Sequence, residues 1–169
     1  MIQEKSGQQR IIDIGCGSPQ QKYFHSYGID INPKCKPDLV WDVDDGLPFN
    51  DDSVMIINSD NSLEHVKNPR YVLEEMFRVL WPGGTVYLSV PNSQYLPLSI
   101  INHFVDLDWF WHWYMTRSFK KERGVHWTLY TKHLIIKTCK DVGFTIQETK
   151  GNLWSKEVRL ILTKIHTRT

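Results

Sequence analysis

Short apolar runs alternate with helix-patterned segments along this chain, and no other property of the sequence narrows its fold as much. "RIIDI" is a short buried strand, and "QQKYFHSY", behind Pro19, predicts a brief helix. "YGIDI" and "DLVW" are the next two strands, and "SVMIINS" is a fourth. In "NPRYVLEEMFRVL", Asn68 is a cap, Pro69 takes the first helical position, and Val72, Leu73, Met76, Phe77 and Leu80 share one face. "WPGG" ends that helix and "TVYLSV" is a fifth strand. "TKHLIIKTCKDVGF" is a helix stopped by Gly143, followed by strands "TIQET" and "EVRLILTKI". Such alternation predicts an α/β fold with a doubly wound, mostly parallel sheet of seven strands. The last two strands are joined only by "KGNLWSK". A parallel crossover needs a dozen or more residues, so the last strand must be reversed.

At 169 residues the chain matches one ordinary domain of roughly 100–200 residues, and 41% hydrophobic residues are enough for one full core. Residues 1–169 are therefore expected to form a single domain, with 93–127 inserted as a cap or acceptor segment. The net charge of +1 argues against a general nucleic-acid binder. Residues 30 to 60 are rich in Asp, and Arg117 to Arg168 is dominated by Lys and Arg, which suits either a solvated basic face or an anionic acceptor. Cys16, Cys35 and Cys139 are scattered and form no C-x-x-C pair, which points to reduced thiols in a cytoplasmic protein and to no metal site. The start, "MIQEKSGQQR", is polar and predicts no leader. "YLPLSIINHFVDLDWFWHWYM" is interrupted by Asn102, His103, Asp106 and Asp108, whereas a membrane span wants about 20 largely uncharged residues.

The first strand runs into glycines as "IIDIGCGSPQ". Gly15 and Gly17 fill the first two positions of a G-x-G-x-x-G fingerprint, but Gln20 stands at the third. Asp30 ends the second strand. Adjacent parallel strands would put its carboxylate beside the glycine loop, where it can accept both hydroxyls of a ribose while backbone amides approach the ligand.

Together "IIDIGCGS", "GIDINP", "WDVDDGLPF", "SLEHVKNP", "RVLWPGGTVYLSVPN" and "LIIKTCKDVGF" resemble class I S-adenosylmethionine-dependent methyltransferases, in particular the group called methyltransferase type 11. The likeness runs from about Ile11 to Asn92 and resumes from about His126. It implies S-adenosyl-L-methionine as cofactor and a seven-stranded sheet with a reversed last strand. By that resemblance Asp13, Gly15, Cys16 and Gly17 line the methionine and ribose, Asp30 takes the ribose hydroxyls, and Ile31 lies beside the adenine. Asp42 and the backbone of Val43 meet the adenine amino group, and Ser59 and Asp60 lie at the methionyl end. The sequence departs from the pattern at Ser18-Pro19, where another glycine is common, and at Met55, where an aspartate is usual. Few residues precede the first strand, so an unusually open cofactor site is expected.

Methyl transfer to oxygen, and often to nitrogen, requires loss of a proton. His65, just past the fourth strand, is the candidate base; a loop histidine bonding backbone before the Asn68 cap is the plainer alternative. The inserted segment carries Trp109, Trp111, Trp113 and Trp127 of the chain's seven tryptophans. Exposing so many aromatics would leave an apolar patch beyond the few hundred Å² usual for a monomer. They are expected to pack on the domain, a second subunit of a homodimer, a membrane surface as a peripheral contact, or the acceptor. Trp111, Trp113 and His126 are the candidate acceptor-binding residues, with a small-molecule, sugar or lipid-linked acceptor. A binding or scaffold protein that keeps the fold without turnover, and a nicotinamide-linked oxidoreductase disfavoured by Gln20, are the competing readings.

Overall fold

The computed structural model describes residues 11–23, 25–94, 128 and 130–165. The strands are β1 (Ile11–Ile14), β2 (Tyr27–Asp30), β3 (Leu39–Val40), β4 (Val54–Asp60), β5 (Leu80–Pro91), β6 (Thr145–Lys150) and β7 (Glu157–Thr163), with helices α1 (Pro69–Val79) and α2 (Lys132–Val142). They form one seven-stranded sheet in the order β3-β2-β1-β4-β5-β7-β6. β1 pairs in parallel with β2 and β4, β2 with β3, and β4 with β5; β7 is antiparallel to both β5 and β6. The reversed last strand expected from the short "KGNLWSK" link is therefore present.

Both helices form where their caps and apolar spacing place them. The Asn68 side chain accepts from Tyr71 N at 3.2 Å, and Pro69 supplies the first helical φ. The Thr131 hydroxyl accepts from Leu134 N at 3.1 Å, and Gly143 closes α2 at φ 116°, a conformation that favours glycine. Val72, Leu73, Met76 and Val79 of α1 are fully buried, each contributing about 1.5–3 kcal/mol, against Ile12, Ile57, Val86 and Leu88 of the sheet. Ile135 and Cys139 of α2 complete that core with Leu160 and Leu162.

The other face of the sheet is more polar. In β7, Val158, Leu160 and Leu162 point inward while Arg159 is exposed and Ile161 half-buried, the alternation of a strand covered on one side. Asn58, Tyr87, Ile161 and Glu148 pair across four strands and line a shallow depression of about 330 Å³ on this face.

Two local expectations change. "QQKYFHSY" makes no helix among its described residues: Gln21 N and Lys22 N both donate to Ser18 O, and Ser26 N donates to Tyr23 O, giving short turns that lead into β2. "WPGG" does not separate α1 from β5, because Leu80 already pairs with Val54. Trp81–Gly84 then loop out before the ladder resumes at Ile56–Thr85. Of the segment 93–127 expected as a cap, only Ser93 and Gln94 are described, after Asn92, which forms a parallel bridge with Tyr130; Trp111, Trp113 and His126 lie outside the described residues. Among the described residues no helix is long and apolar enough to cross a membrane.

Candidate active site

The carboxyl ends of β1 and β2 meet at the glycine loop. Gly15 N and Cys16 N donate to Ile29 O at 2.8 and 3.2 Å, folding the loop back over β2. Gly15 and Gly17 take φ of 67° and 58°, where a side chain is strained. Gly15 has a second constraint: a Cβ there would lie 2.4 Å from Ser62 Cβ, so the loop is seated directly against the turn that follows β4. Gly17 N donates to Asp30 Oδ2 at 3.0 Å and Asn32 N to Asp30 Oδ1 at 2.8 Å. The carboxylate that sequence placed beside the loop is thus bonded to it, with lone pairs remaining on each oxygen. Ile31, next in sequence, is 63% exposed, an apolar surface beside a half-buried carboxylate.

The remaining expected residues divide by what their side chains touch. Asp13 is 2% exposed, and its two oxygens accept from Tyr23 N and Asn58 Nδ2, both at 2.7 Å. Burial raises its pKa, opposed by those two bonds. Its side chain presents no open surface; what it contributes is the placement of Tyr23 and of Asn58 on β4. Cys16 is also buried, its thiol pushed up to about 12 by burial and by the Asp30 and Asp13 carboxylates, so it stays protonated and only its backbone faces the loop. Asp42 caps the short 3-10 turn Val43–Asp45, accepting from Asp44 N at 3.0 Å. Asp44, not singled out in the sequence, accepts from Lys67 N and Asn68 N and ties that turn to the start of α1.

Beyond β4, the buried Ser59 hydroxyl shares a hydrogen bond of 2.7 Å with Ser62 Oγ. Asp60 is exposed and accepts from Ser89 Oγ and Asn61 Nδ2. Asn61, at φ 47°, also reaches Glu157 Oε1 at 3.3 Å, joining β4 to β7. The 3-10 turn Leu63–His65 follows. His65 Nε2 lies 3.9 Å from Glu64 Oε1, with the histidine side chain 27% exposed and the glutamate 2%. Glu64 Oε2 is buried and has no hydrogen-bond partner among the described residues. Burial, then the Asp60 and Glu157 charges, push Glu64 up to about 7, against its own backbone N–H. Glu64 and Tyr130 carry no sequence signal: a three-residue turn has no periodicity, and the pair is brought together only by the fold. No cluster of potential metal ligands occurs among the described residues.

The sheet order, the reversed β7 and the glycine loop agree with what other proteins show. The sequence profile of the methyltransferase domain family matches residues 2–149. An uncharacterized methyltransferase of Mycobacterium tuberculosis is 56% identical over 43 residues, covering 25% of this chain and 17% of that protein. One of Mycobacterium leprae is 41% identical over 71 residues, covering 42% and 26%. The matched stretches thus span about a quarter or less of these curated relatives. Among solved structures, a methyltransferase of Bacillus halodurans superposes with a TM-score of 0.68 at 13% identity, covering 94% of each chain. A methyltransferase of Haloferax volcanii, solved in complex with the activator Trm112, gives 0.66 at 17% identity, covering 97% of this chain and 86% of that one. At such identity the likeness shows the fold. With the profile covering most of its length, the chain belongs to the methyltransferase domain family and has the class I fold of S-adenosylmethionine-dependent methyltransferases.

Proposed function

We propose that this domain binds S-adenosylmethionine at the β1–β2 edge and transfers its methyl group to an acceptor held at the ends of β4, β5 and β7. The observation that carries this reading is Asp30, bonded to the amide of Gly17 and followed by the exposed Ile31. A carboxylate with spare lone pairs suits two vicinal hydroxyls, and an apolar surface beside it suits a purine face; these donors and acceptors fit the cofactor. Gly15, Cys16 and Gly17 offer backbone, Asp42 and Val43 meet the adenine edge, and Ser59 and Asp60 border the methionyl end.

When bound, the cofactor supplies an electrophilic methyl carbon on a sulfonium. The chain holds the acceptor in line with it, which contributes several kcal/mol by positioning alone. His65, half-buried in the turn that follows β4, takes the proton of an oxygen acceptor. The acceptor is a small-molecule, sugar or lipid-linked hydroxyl, bound by the segment 93–127 of this single domain through Trp111, Trp113 and His126. Calorimetry tests the cofactor site. Hydrogen bonds to a charged group contribute roughly 1.5–3 kcal/mol, so Asp30→Ala should weaken S-adenosylmethionine binding at least about tenfold. An unchanged affinity would remove Asp30 from the site.

A further inference from the structure

We propose that Glu64 and His65 work as a pair, in which the buried carboxylate strengthens the accessible imidazole as a proton acceptor for the methyl acceptor's O–H or N–H. The proposal rests on the reading of His65 as the base, and it assigns Glu64 as the positioning residue behind it.

The pair's location is set by packing. Ser62, at the start of the turn, lies where a Gly15 side chain would be, so the Leu63–His65 turn is pinned against the glycine loop. Within that turn the two side chains diverge in exposure. Glu64 points into the protein, 2% exposed, and His65 reaches the surface at 27%, with 3.9 Å between Glu64 Oε1 and His65 Nε2. A buried polar atom normally has a hydrogen-bond partner, and one without a partner calls for an explanation. Glu64 Oε2 has none among the described residues.

Three elements besides the turn set the charge around Glu64. Asp60 ends β4, Glu157 begins β7, and Tyr130 precedes α2. Burial and the two carboxylates move Glu64 up to about 7, which brings its ionisation into the range where a histidine titrates. In the transfer, a ring nitrogen lone pair of His65 forms the new N–H bond, and the electron pair of the broken O–H or N–H bond stays on the acceptor atom as the nucleophile. Above about pH 7, where Glu64 is ionised, the positive charge that appears on the imidazole is met by the carboxylate beside it. An ionised carboxylate so placed favours the charged form of the histidine.

The test is an NMR titration of the His65 imidazole in the protein alone, without methyl donor or acceptor, the signal being identified by its loss in His65→Gln. The wild-type midpoint should lie about one unit above that of Glu64→Gln, and Glu64→Asp should restore most of the difference. Equal midpoints in wild type and Glu64→Gln would overturn the pairing. If Glu64→Gln does not fold, carboxyl NMR of the wild-type protein labelled at glutamate decides. One glutamate titrating near pH 7 in step with His65 supports the pair, and the absence of any such common step overturns it. Because no donor is present, these outcomes are separate from the calorimetric test of Asp30.

Discussion

At the β1–β2 end of the sheet, the carboxylates of Asp13, Asp30 and Asp38 each receive a backbone N–H, from Tyr23, Gly17 and Asn32, and Gly28. At the β4–β7 end, Glu64 is deeply buried with one oxygen unpartnered among the described residues. Both ends collect acidic groups, but the first uses all three to hold the chain in place, whereas the second satisfies Asp60 and Glu157 and leaves a Glu64 oxygen unsatisfied. Charge-assisted bonds to backbone amides rigidify a loop that must present its own amides to a ligand. A carboxyl left without partners costs stability and is poised to change its protonation. On the proposed function, the contrast divides the crevice into a preformed binding edge and a reactive one.

The largest expected effect would break the contact that joins these two edges. Gly15→Ala forces a side chain into the left-handed region, at about 1–2 kcal/mol, and into Ser62, where overpacking adds about 1–3 kcal/mol. Urea denaturation should show a loss of about 3 kcal/mol. A loss under about 1 kcal/mol would mean that the glycine loop and the β4 turn are not in contact.

A smaller effect, of unusual sign, belongs to Glu64. Its pKa in the folded protein, about 7, lies above the ordinary 4.5, so the folded state holds the proton more tightly than the unfolded chain. The favourable contribution is present below pH 4.5, is lost as pH rises from 4.5 to 7, and stays lost above that. Over this window it amounts to up to about 3 kcal/mol. Glu64→Gln has no such titration, so its stability relative to wild type should improve by that amount between pH 4.5 and pH 8. If the two stabilities keep a constant difference across that range, Glu64 is not held protonated by its surroundings.

The difference between the edges also explains what the sequence could reveal. The binding edge follows from local rules: an apolar run, glycines at positive φ, and an aspartate at the end of the neighbouring strand, which parallel pairing brings beside the loop. The Asn68 cap with Pro69, the stop at Gly143 and the short link before β7 are equally local, and each produced the element expected of it. The turn at 18–23 read as a helix because its composition is helical. Asp13 draws Tyr23 N into its own bond, and Asp38 ties Lys22 to β2, which ends the turn opened at Ser18 before a helix can continue. The reactive edge depends on long-range meetings. Glu64 and Tyr130 are far apart in sequence and converge because Asn92 pairs with Tyr130 where the chain rejoins the sheet. No periodicity encodes that meeting, and the basic run from Arg117 onward gave no hint of carboxylates crowding there.

The smallest expected effect lies at the binding edge and has the opposite dependence on pH. Asp38 accepts from Gly28 N at 2.7 Å and from Lys22 Nζ at 2.5 Å. Burial alone would raise its pKa, but the bonds from Lys22 and Gly28 outweigh burial and lower it below 3.8. For a depressed carboxylate the contribution is present above the unfolded value and is lost as pH falls through the folded one. The side chain is 40% exposed, so solvent screening limits the pair to well under about 1 kcal/mol. Asp38→Asn should therefore cost a few tenths of a kcal/mol, up to about 1, at pH 7, and the cost should shrink below pH 3.8. Measured side by side, the two variants should diverge in opposite directions: the gain of Glu64→Gln grows toward alkaline pH, while the loss of Asp38→Asn fades toward acid. If Asp38→Asn instead gained stability as pH rose, the carboxylates of the two edges would share one environment, and the division between a satisfied and an unsatisfied edge would not hold.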